Sequence, residues 1–523
     1  MSRWQTVCNL EDLSEDEGKE VIVNGRPIAL FLHRKKIYAL DDRCPHREGQ
    51  LSQGSVENGD AICPLHGWNF DLETGISPYN PRDRIDTYPA RINDASVEID
   101  SSAVPPLPAT TFDGYQARWR RWSADARGKA EIQKLARGKA PAIDAMGAES
   151  PNPGPVPDFD HFHLRAAQLA RVPKLGDEPV STATTLAPAA GKPLQLALPA
   201  YVSHMSFGSL SREAKVALAR GSAAAGTMTC SGEGGMLPEE RDAASLYVLE
   251  MASGYFGWND ESMAKADAFE IKLGQSAKPG LGGELPAAKV TEEIARVRGL
   301  EAGSAAHSPG RFPDLDNLTA FAERVKSIRE RYPDKPLGIK IAANNLEQDL
   351  DAALSLQPDY ITVDGFGGGT GAAPVHVRDH VGMPLVMALP VARRKIDSHN
   401  ARGGRTVSLV ATGGVRTAAD IVKAIALGAD ACALATASLF ALGCEYYRAC
   451  NTGNCPVGIT TQKESLRGRI DAEIAAERIT NFYNGTRAML EDYLRIMGYA
   501  SIVEVSPRDL VALTPAAGAL LES

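Results

Sequence analysis

Short apolar runs broken by turn residues fill the first hundred positions, and a longer strand–helix alternation fills much of the rest. Val21-Ile22-Val23-Asn24 and Ile28-Ala29-Leu30-Phe31 read as strands, with turn chemistry at Asn24-Gly25 and Asn58-Gly59. From Leu194 the apolar, β-rich runs recur: Leu194 to Val202, Phe269 to Leu273, Gly338 to Ala342, Tyr360 to Val363, Pro384 to Ala388, Val407 to Ala411 and Ala431 to Ala435. Helical stretches such as Arg212 to Ala225 and Ala418 to Ala426 separate many of them. Repeated β–α units over roughly 270 residues predict a parallel (β/α)8 barrel. Several runs end in glycine-rich loops, where such barrels place their chemistry. The apolar stretch Ala424 to Gly443 contains Asp430 and several glycines, so it reads as a buried strand and a packed helix, not a membrane span.

The expected organisation is multidomain. Residues 1–100 form a small all-β unit, and 101–160 a linker with a basic helical segment. Residues 161–465 form an α/β barrel of the TIM type, and 466–523 are helices closing the barrel domain. Ser101 to Thr111 is rich in Pro, Ala and Ser, and a second Pro-rich piece runs from Pro151 to Pro157. Tyr115 to Ala140 carries eight Lys or Arg against two acids. It is either a solvated helix lying on the larger domain or a docking face for an acidic electron donor.

A length of 523 residues predicts two or three domains, and a net charge of −9 argues against nucleic-acid binding. Eight cysteines without an apolar leader at the N-terminus point to a reducing, cytoplasmic setting in which thiols serve metals.

Five of those cysteines and two histidines carry the strongest chemical signal. Cys44-Pro-His46 is followed, after sixteen residues, by Cys63-Pro-Leu-His66. Two thiolates and two imidazoles are the ligand set of a Rieske [2Fe–2S] centre. Zinc accepts the same donors. Further on, Cys444, Cys450 and Cys455 are spaced by five and four residues. Three thiolates, one short of a cubane, suit a [3Fe–4S] cluster. Two one-electron centres imply electron transfer. No downstream two-His-one-carboxylate site is evident, so a Rieske oxygenase is not expected. Glycine loops at Asp364 to Gly371 and Thr412 to Arg416 follow strands and suit a phosphate-bearing mononucleotide. No complete G-x-G-x-x-G stands in a βαβ context, so no NAD(P)H domain is expected.

The stretch DDRCPHREGQLSQG…ICPLHGWNFDLETG resembles Rieske ferredoxins and the Rieske-type small subunits of nitrite reductases, over essentially all of residues 1–100. The runs MSFGSLSREA, GTMTCSGEGGMLPEER, IKLGQSAKPGLGGELPAAKV, VDGFGGGTGAAP, ATGGVRTAADI and CEYYRACNTGNCPVGITTQ resemble the FMN-binding synthase domain of glutamate synthases and the large subunit of N-methylglutamate synthase, over about residues 160 to 465. The resemblance implies that Cys444, Cys450 and Cys455 hold a [3Fe–4S] cluster. It implies that Ser206, Gly208, Gly368, Gly369 and Gly414 line FMN, with Lys340 beside the flavin pyrimidine edge. Lys272, Lys278 and Arg298 match positions that hold the carboxylates of 2-oxoglutarate, and Glu233 matches an active-site acid at the reacting nitrogen. A surface position is the alternative for Lys340, and a helical surface charge for Arg298.

Two departures stand out. Glutamate synthases have glutamine where this chain has Glu284, and a carboxylate there would repel a substrate carboxylate. A Rieske-like unit stands where glutamine-dependent synthases carry a cysteine amidotransferase, and Cys8 is not terminal. The chain is therefore not expected to release ammonia from glutamine by itself.

The expected activity is FMN-mediated hydride transfer to an imine of a 2-oxo acid, 2-oxoglutarate-like, with ammonia or an amine. The expected partner is an external electron donor (a ferredoxin or reductase subunit), with a glutaminase-like subunit as a further candidate. A different imine, amine or carbonyl substrate, or a non-catalytic electron-transfer subunit, are the alternatives.

Overall fold

Asn24-Gly25 (φ 51° and 76°) and Asn58-Gly59 (φ 56° and 87°) both turn in the left-handed region that tight hairpins require. The first joins Gly18–Val23 to Arg26–His33, and the second joins Ser55–Glu57 to Asp60–Ile62. The computed structural model describes residues 3–46, 49–65, 67–106, 132, 136–138, 156–285, 287–373, 375–378 and 381–522. Most of the basic stretch Tyr115 to Ala140, residues 107–111 of the first Pro-rich piece and residues 151–155 of the second lie outside the described residues, as does His66.

The first hundred residues fold into three antiparallel sheets, as the all-β expectation holds. One contains Gly18–Val23, Arg26–His33, Lys36–Asp41 and Thr87–Tyr88; a second places Ser96–Asp100 between Trp4–Asn9 and Ala90–Asn93. The third holds the hairpin of Ser55–Glu57 and Asp60–Ile62 with Asn69–Asp71. Val23, Ile28, Leu30, Val97 and Ile99 alternate into one buried core.

The larger unit is the expected closed parallel barrel. Its eight strands are β1 (Ala200–Val202), β2 (Thr229–Cys230), β3 (Tyr247–Met251), β4 (Ala268–Lys272), β5 (Leu337–Ala342), β6 (Tyr360–Asp364), β7 (Ser408–Thr412) and β8 (Ala431–Leu434). Alternate residues of β6 show how the interior is layered. Tyr360 donates to the Phe269 carbonyl at 3.0 Å, Thr362 donates to Glu270 at 2.7 Å, and Asp364 accepts from Ser276 at 2.7 Å. One end of the barrel is thus plugged with Tyr201, Met228, Val248 and Tyr360, and polarity grows toward the C-terminal ends of the strands.

Two sequence expectations change. The run Pro384 to Ala388 is not a strand: Leu385–Ala401 is a helix. Leu385, Ala388, Leu389, Ala392 and Ile396 are buried at helical spacing, and that stripe outweighs the local β-rich composition. The run Leu194 to Val202 splits, because Leu194–Leu196 pairs with Thr184–Leu186 outside the barrel, and only Ala200–Val202 enters it.

Helix α1 (Arg212–Ala224) follows β1 and packs against the long helix α2 (Ala472–Met497). A Cβ on Gly221 would lie 2.5 Å from that of Ile479, so glycine sets how closely the two helices approach. Arg478 of α2 is buried and donates to the carbonyls of Pro78 and Tyr79, which fixes the small β unit to this chain's own barrel. Arg137 adds a 3.2 Å ion pair with Asp60 and covers the Tyr79 ring at 4.7 Å. Among the described residues, no helix is long and apolar enough to cross a membrane.

Candidate functional site

Cys44 and His46 lie just beyond the strand ending at Asp41, and Cys63 just beyond the one ending at Ile62. Backbone bonds shape both loops: Cys44 N–H donates to Gly49 O at 2.9 Å, and Cys63 N–H to Trp68 O at 2.7 Å. Gly67, at φ 70°, closes the second turn back onto Cys63 O at 2.8 Å. The loops touch, since a Cβ on Gly49 would lie 2.8 Å from Cys63 Sγ. Cys44, His46 and Cys63 are all buried, and the Trp68 ring stacks on His46 at 4.8 Å and 21°. Three of the four residues read from the sequence are therefore brought together, in soft and imidazole donors shielded from water, which fits an iron–sulfur centre. The fourth, His66, lies outside the described residues.

The second cysteine set follows helix α3 (Thr436–Leu442), which ends at Gly443 with φ 108°. Burial pushes the Cys444 thiol well above its ordinary value, and Cys450 and Cys455 push it further. Cys444 and Cys450 are half-buried and Cys455 buried; as thiolates their charges would repel one another, a cost that a bound cation such as an iron cluster would offset. The Tyr446 N–H points at Cys444 Sγ from 3.4 Å, and Lys289 donates to Cys450 O at 2.7 Å. Gln462, just downstream, donates to the carbonyls of Gly208 (3.1 Å) and Leu210 (3.0 Å), so the cysteine loop is tied to the loop after β1.

That loop belongs to the barrel mouth. Ser206 donates to Ser209 at 3.0 Å, and Gly208 has φ 100°. After β6 comes Gly365 to Gly371, and after β7 the pair Gly413-Gly414. A Cβ on Gly413 would lie 2.2 Å from Gly365 O, and one on Gly368 would lie 2.2 Å from Ser276 Oγ, so these loops meet only as glycines. A Cβ on Gly369 would lie 3.4 Å from Thr436 Oγ1, at the start of α3. The five loop positions that the sequence assigns to FMN thus gather at one end of the barrel. The four glycines among them leave backbone groups without side chains there, a cradle that fits a phosphate-bearing ring cofactor. Lys340 is buried in β5, beneath this cradle, 3.9 Å from Asp364 Oδ2.

The acid–cation set lies alongside. Lys272 ends β4, its Nζ 2.8 Å from Glu233 Oε2 and 3.7 Å from Glu250 Oε1. Burial works to raise the Glu233 carboxyl, but Lys272, Lys278 and Arg298 overcome it and hold it at about 2. Burial likewise works against the Lys272 charge, yet Glu233 and Glu250 raise it above its ordinary value. A Cβ on Gly283 would collide with Glu233 Oε1, so glycine is required where that loop crosses the acid.

Arg298 is not a helical surface charge. It ends the helix Glu292–Arg298, capped by Gly299 at φ 72°, and is buried. Its guanidinium donates to Phe207 O at 2.8 Å and lies 5.3 Å from the Phe256 ring centroid. Burial lowers it to about 10, with Glu233 opposing. It therefore clamps the loop after β1 and acts on Glu233 through its field.

The sequence reading missed a second layer. His204 Nε2 lies 2.6 Å from Glu270 Oε1, and Glu250 is buried beside them. Burial works to raise the Glu270 carboxyl, but His204 and Lys340 outweigh it and lower it. The available signal was a charge inside an otherwise apolar strand, as in Val-Leu-Glu250-Met and Phe-Glu270-Ile-Lys.

Comparison with known proteins agrees with both units. The family model for the conserved region in glutamate synthase matches residues 165–500, and that for the Rieske [2Fe–2S] domain matches residues 3–89. A glutamate synthase large subunit-like protein of Rhizobium meliloti is 33% identical over 437 residues, covering 80% of this chain and 95% of that protein. The archaeal glutamate synthase (NADPH) of Methanocaldococcus jannaschii is 40% identical over 311 residues, 59% of this chain and 61% of that one. The archaeal-type glutamate synthase (NADPH) of Thermotoga maritima is 39% identical over 329 residues, 62% and 64%. The chain thus spans less than two thirds of the length of these two relatives. With the barrel and the Rieske loops both matched, the chain belongs to the glutamate synthase family and carries an N-terminal Rieske domain.

Proposed function

We propose that the chain is an iron–sulfur flavoprotein oxidoreductase that reduces the carbon–nitrogen double bond formed from a 2-oxo acid and ammonia or an amine. The observation that carries this reading is the half-buried Lys272–Glu233 pair, set among the glycine loops of the barrel mouth. FMN, held by Ser206, Gly208, Gly368, Gly369 and Gly414 over Lys340, would supply the two-electron reduction at the substrate carbon. A Rieske centre on Cys44, His46, Cys63 and His66, and a [3Fe–4S] cluster on Cys444, Cys450 and Cys455, would store single electrons from an external carrier or reductase subunit.

In this reading Lys272 and Lys278 attract a substrate carboxylate. Arg298 adds positive potential from beneath, its Nη2 already engaged by Phe207 O. Glu233, held at about 2, stays ionised at neutral pH and is too acidic to be the proton donor. It accepts a hydrogen bond from the substrate nitrogen and orients it, while Lys272, whose charge Glu233 and Glu250 stabilise, keeps its proton and holds Glu233 in place. Enclosure by the glycine loops keeps water from hydrolysing the imine.

A second reading is favoured by Glu284, which replaces the family's glutamine. A carboxylate attracts an ammonium and repels an anion, which favours an amine-bearing substrate. One experiment separates the readings. The reconstituted, artificially reduced protein is mixed anaerobically with 2-oxoglutarate plus ammonia, 2-oxoglutarate plus a primary amine, or a diamine-derived imine, and flavin reoxidation is followed by absorbance. Reoxidation by the first or second mixture supports the leading reading, and by the third alone the other. Reoxidation only by another protein would make the chain an electron relay.

A further inference from the structure

Tyr447 stands between Cys444 and Cys450, so it belongs to the barrel, yet its ring contacts the Rieske unit. Its centroid lies 6.2 Å from that of His46 and 6.3 Å from that of Trp68. Its neighbours on both sides, Tyr446 (φ 58°) and Arg448 (φ 56°), adopt the left-handed conformation that bulky residues avoid. Tyr446 turns the other way, packing edge-on against Phe440 at 5.6 Å, with Arg448 over its ring at 5.1 Å. Strained backbone on each side of one aromatic residue is the kind of cost that persists where a side chain must be aimed.

His46 has no solvent exposure and Tyr447 only 4%. A soluble carrier therefore has no access to that imidazole, and what covers it is this chain's own cysteine loop. The contact is locked by charged groups that would be costly to bury without partners: Arg478 on the Pro78 and Tyr79 carbonyls, and Arg137 on Asp60.

We propose that the Rieske unit is docked as the built-in electron partner of the three-cysteine loop, and that Tyr447 is the positioning residue that couples them. The proposal rests on the cluster assignments of the proposed function and gives that reading a route. Cys44, His46 and Cys63 would hold the centre that gives up one electron and is oxidised, and Cys444, Cys450 and Cys455 the one that would accept it and be reduced; no bond would form or break and no proton would move at Tyr447. Two such transfers match a two-electron reduction. The reductant is an external one-electron carrier, which must approach the Rieske unit at a face other than the one covered by Tyr447.

The test uses the full reconstituted chain, poised where both centres are paramagnetic. Microwave-power saturation of the Rieske EPR signal reads whether a second spin lies nearby. Metal and sulfide analysis reads whether both clusters are present. In the parent protein, fast relaxation of the Rieske signal is expected, with loss of that enhancement in Cys450→Ser. Tyr447→Phe should keep it. Tyr447→Ala should lose it in part, and electron transfer out of the Rieske centre, followed after rapid reduction, should slow about 10²-fold because a small misplacement is enough. Arg478→Gln leaves both ligand loops intact and should weaken the coupling in the same direction.

Equal relaxation in the parent, shown to hold both clusters, and in Cys450→Ser, shown to lack the second, overturns the docking and leaves the proposed function standing. Parent-like coupling and rate in Tyr447→Ala overturn the role of Tyr447. Failure of the parent to form a second cluster at all removes the reading beneath the proposal, and the proposal with it.

Discussion

Lys272 Nζ sits 2.8 Å from Glu233 Oε2, so the cation best placed to meet a substrate carboxylate is already paired with an acid of the same site. An incoming anion must compete with Glu233. Replacing Glu233 by Gln should lower KM for a carboxylate substrate by about tenfold, about 1.4 kcal/mol, because the competitor is gone. The same change should lower kcat about 10²-fold or more, because nothing then orients the substrate nitrogen. Steady-state kinetics with an artificial reductant reads both. A raised KM with unchanged kcat would assign Glu233 to binding alone.

Lys278 is buried near Glu233 and contributes to holding that carboxylate ionised. If it also attracts substrate, Lys278→Ala should raise KM for an anionic substrate about tenfold with kcat nearly unchanged, the pattern of uniform binding lost. An unaltered KM would remove Lys278 from the carboxylate site.

The Rieske loops offer a cleaner separation. Cys44→Ser takes away one thiolate while leaving the barrel untouched, so the Rieske EPR signal should disappear and flavin absorbance should remain. Loss of both would mean that the small unit supports the barrel's fold. Persistence of the signal would refute Cys44 as a ligand.

Much of this was legible in sequence because ligand spacing and glycine loops are local signals. The Cys44/His46 and Cys63 loops, Gly208, Gly368 and Gly414 each announce themselves within a few residues. The barrel strands read well where β-branched runs were long enough, as in Gly338 to Ala342, but Thr229–Cys230 is too short to stand out. Pro384 to Ala388 misled because a five-residue window cannot distinguish a buried strand from the start of a 17-residue helix. The Glu270–His204 contact was invisible for another reason: its partners are 66 positions apart and meet only when β1 and β4 close the same barrel. The seat of the Rieske unit was equally hidden, since Arg478 and Tyr79 are brought together only by tertiary packing.

Arg478 gives that seat a measurable stability. Burial lowers its guanidinium to about 10, with Tyr79 the leading opposing influence, and its donors serve two backbone carbonyls. Arg478→Ala strands both carbonyls and should cost about 2 to 4 kcal/mol. Hydrogen exchange should accelerate at residues 77–83 and at the start of the cysteine loop. Arg478→Lys keeps a donor and should recover part of the protection. Unchanged exchange in both variants would show that the aromatic contacts alone hold the unit.

The last prediction concerns pH. Glu240 Oε1 lies 2.7 Å from Lys215 Nζ, and Tyr247 OH donates to its other oxygen at 3.1 Å, all three enclosed behind β3. Burial pushes the Glu240 carboxyl from its ordinary 4.5 up to about 7, with Lys215 pulling the other way. Between those values the folded protein holds a proton that the unfolded chain has released. Stability from this group is therefore complete below 4.5 and is lost as pH rises through 7, by up to about 3 kcal/mol. Glu240→Gln cannot titrate, and Lys215 keeps the carbonyls of Met205, Cys230 and Ser231 as acceptors. The variant will be less stable than the parent at pH 5 if the acid form packs better, but the gap must narrow as pH is raised to 8. Thermal unfolding of both proteins at unit steps of pH reads the difference directly, and a gap that stays level from pH 5 to 8 would show that Glu240 is ionised in the folded protein throughout that range and pairs with Lys215 as a stabilising salt bridge.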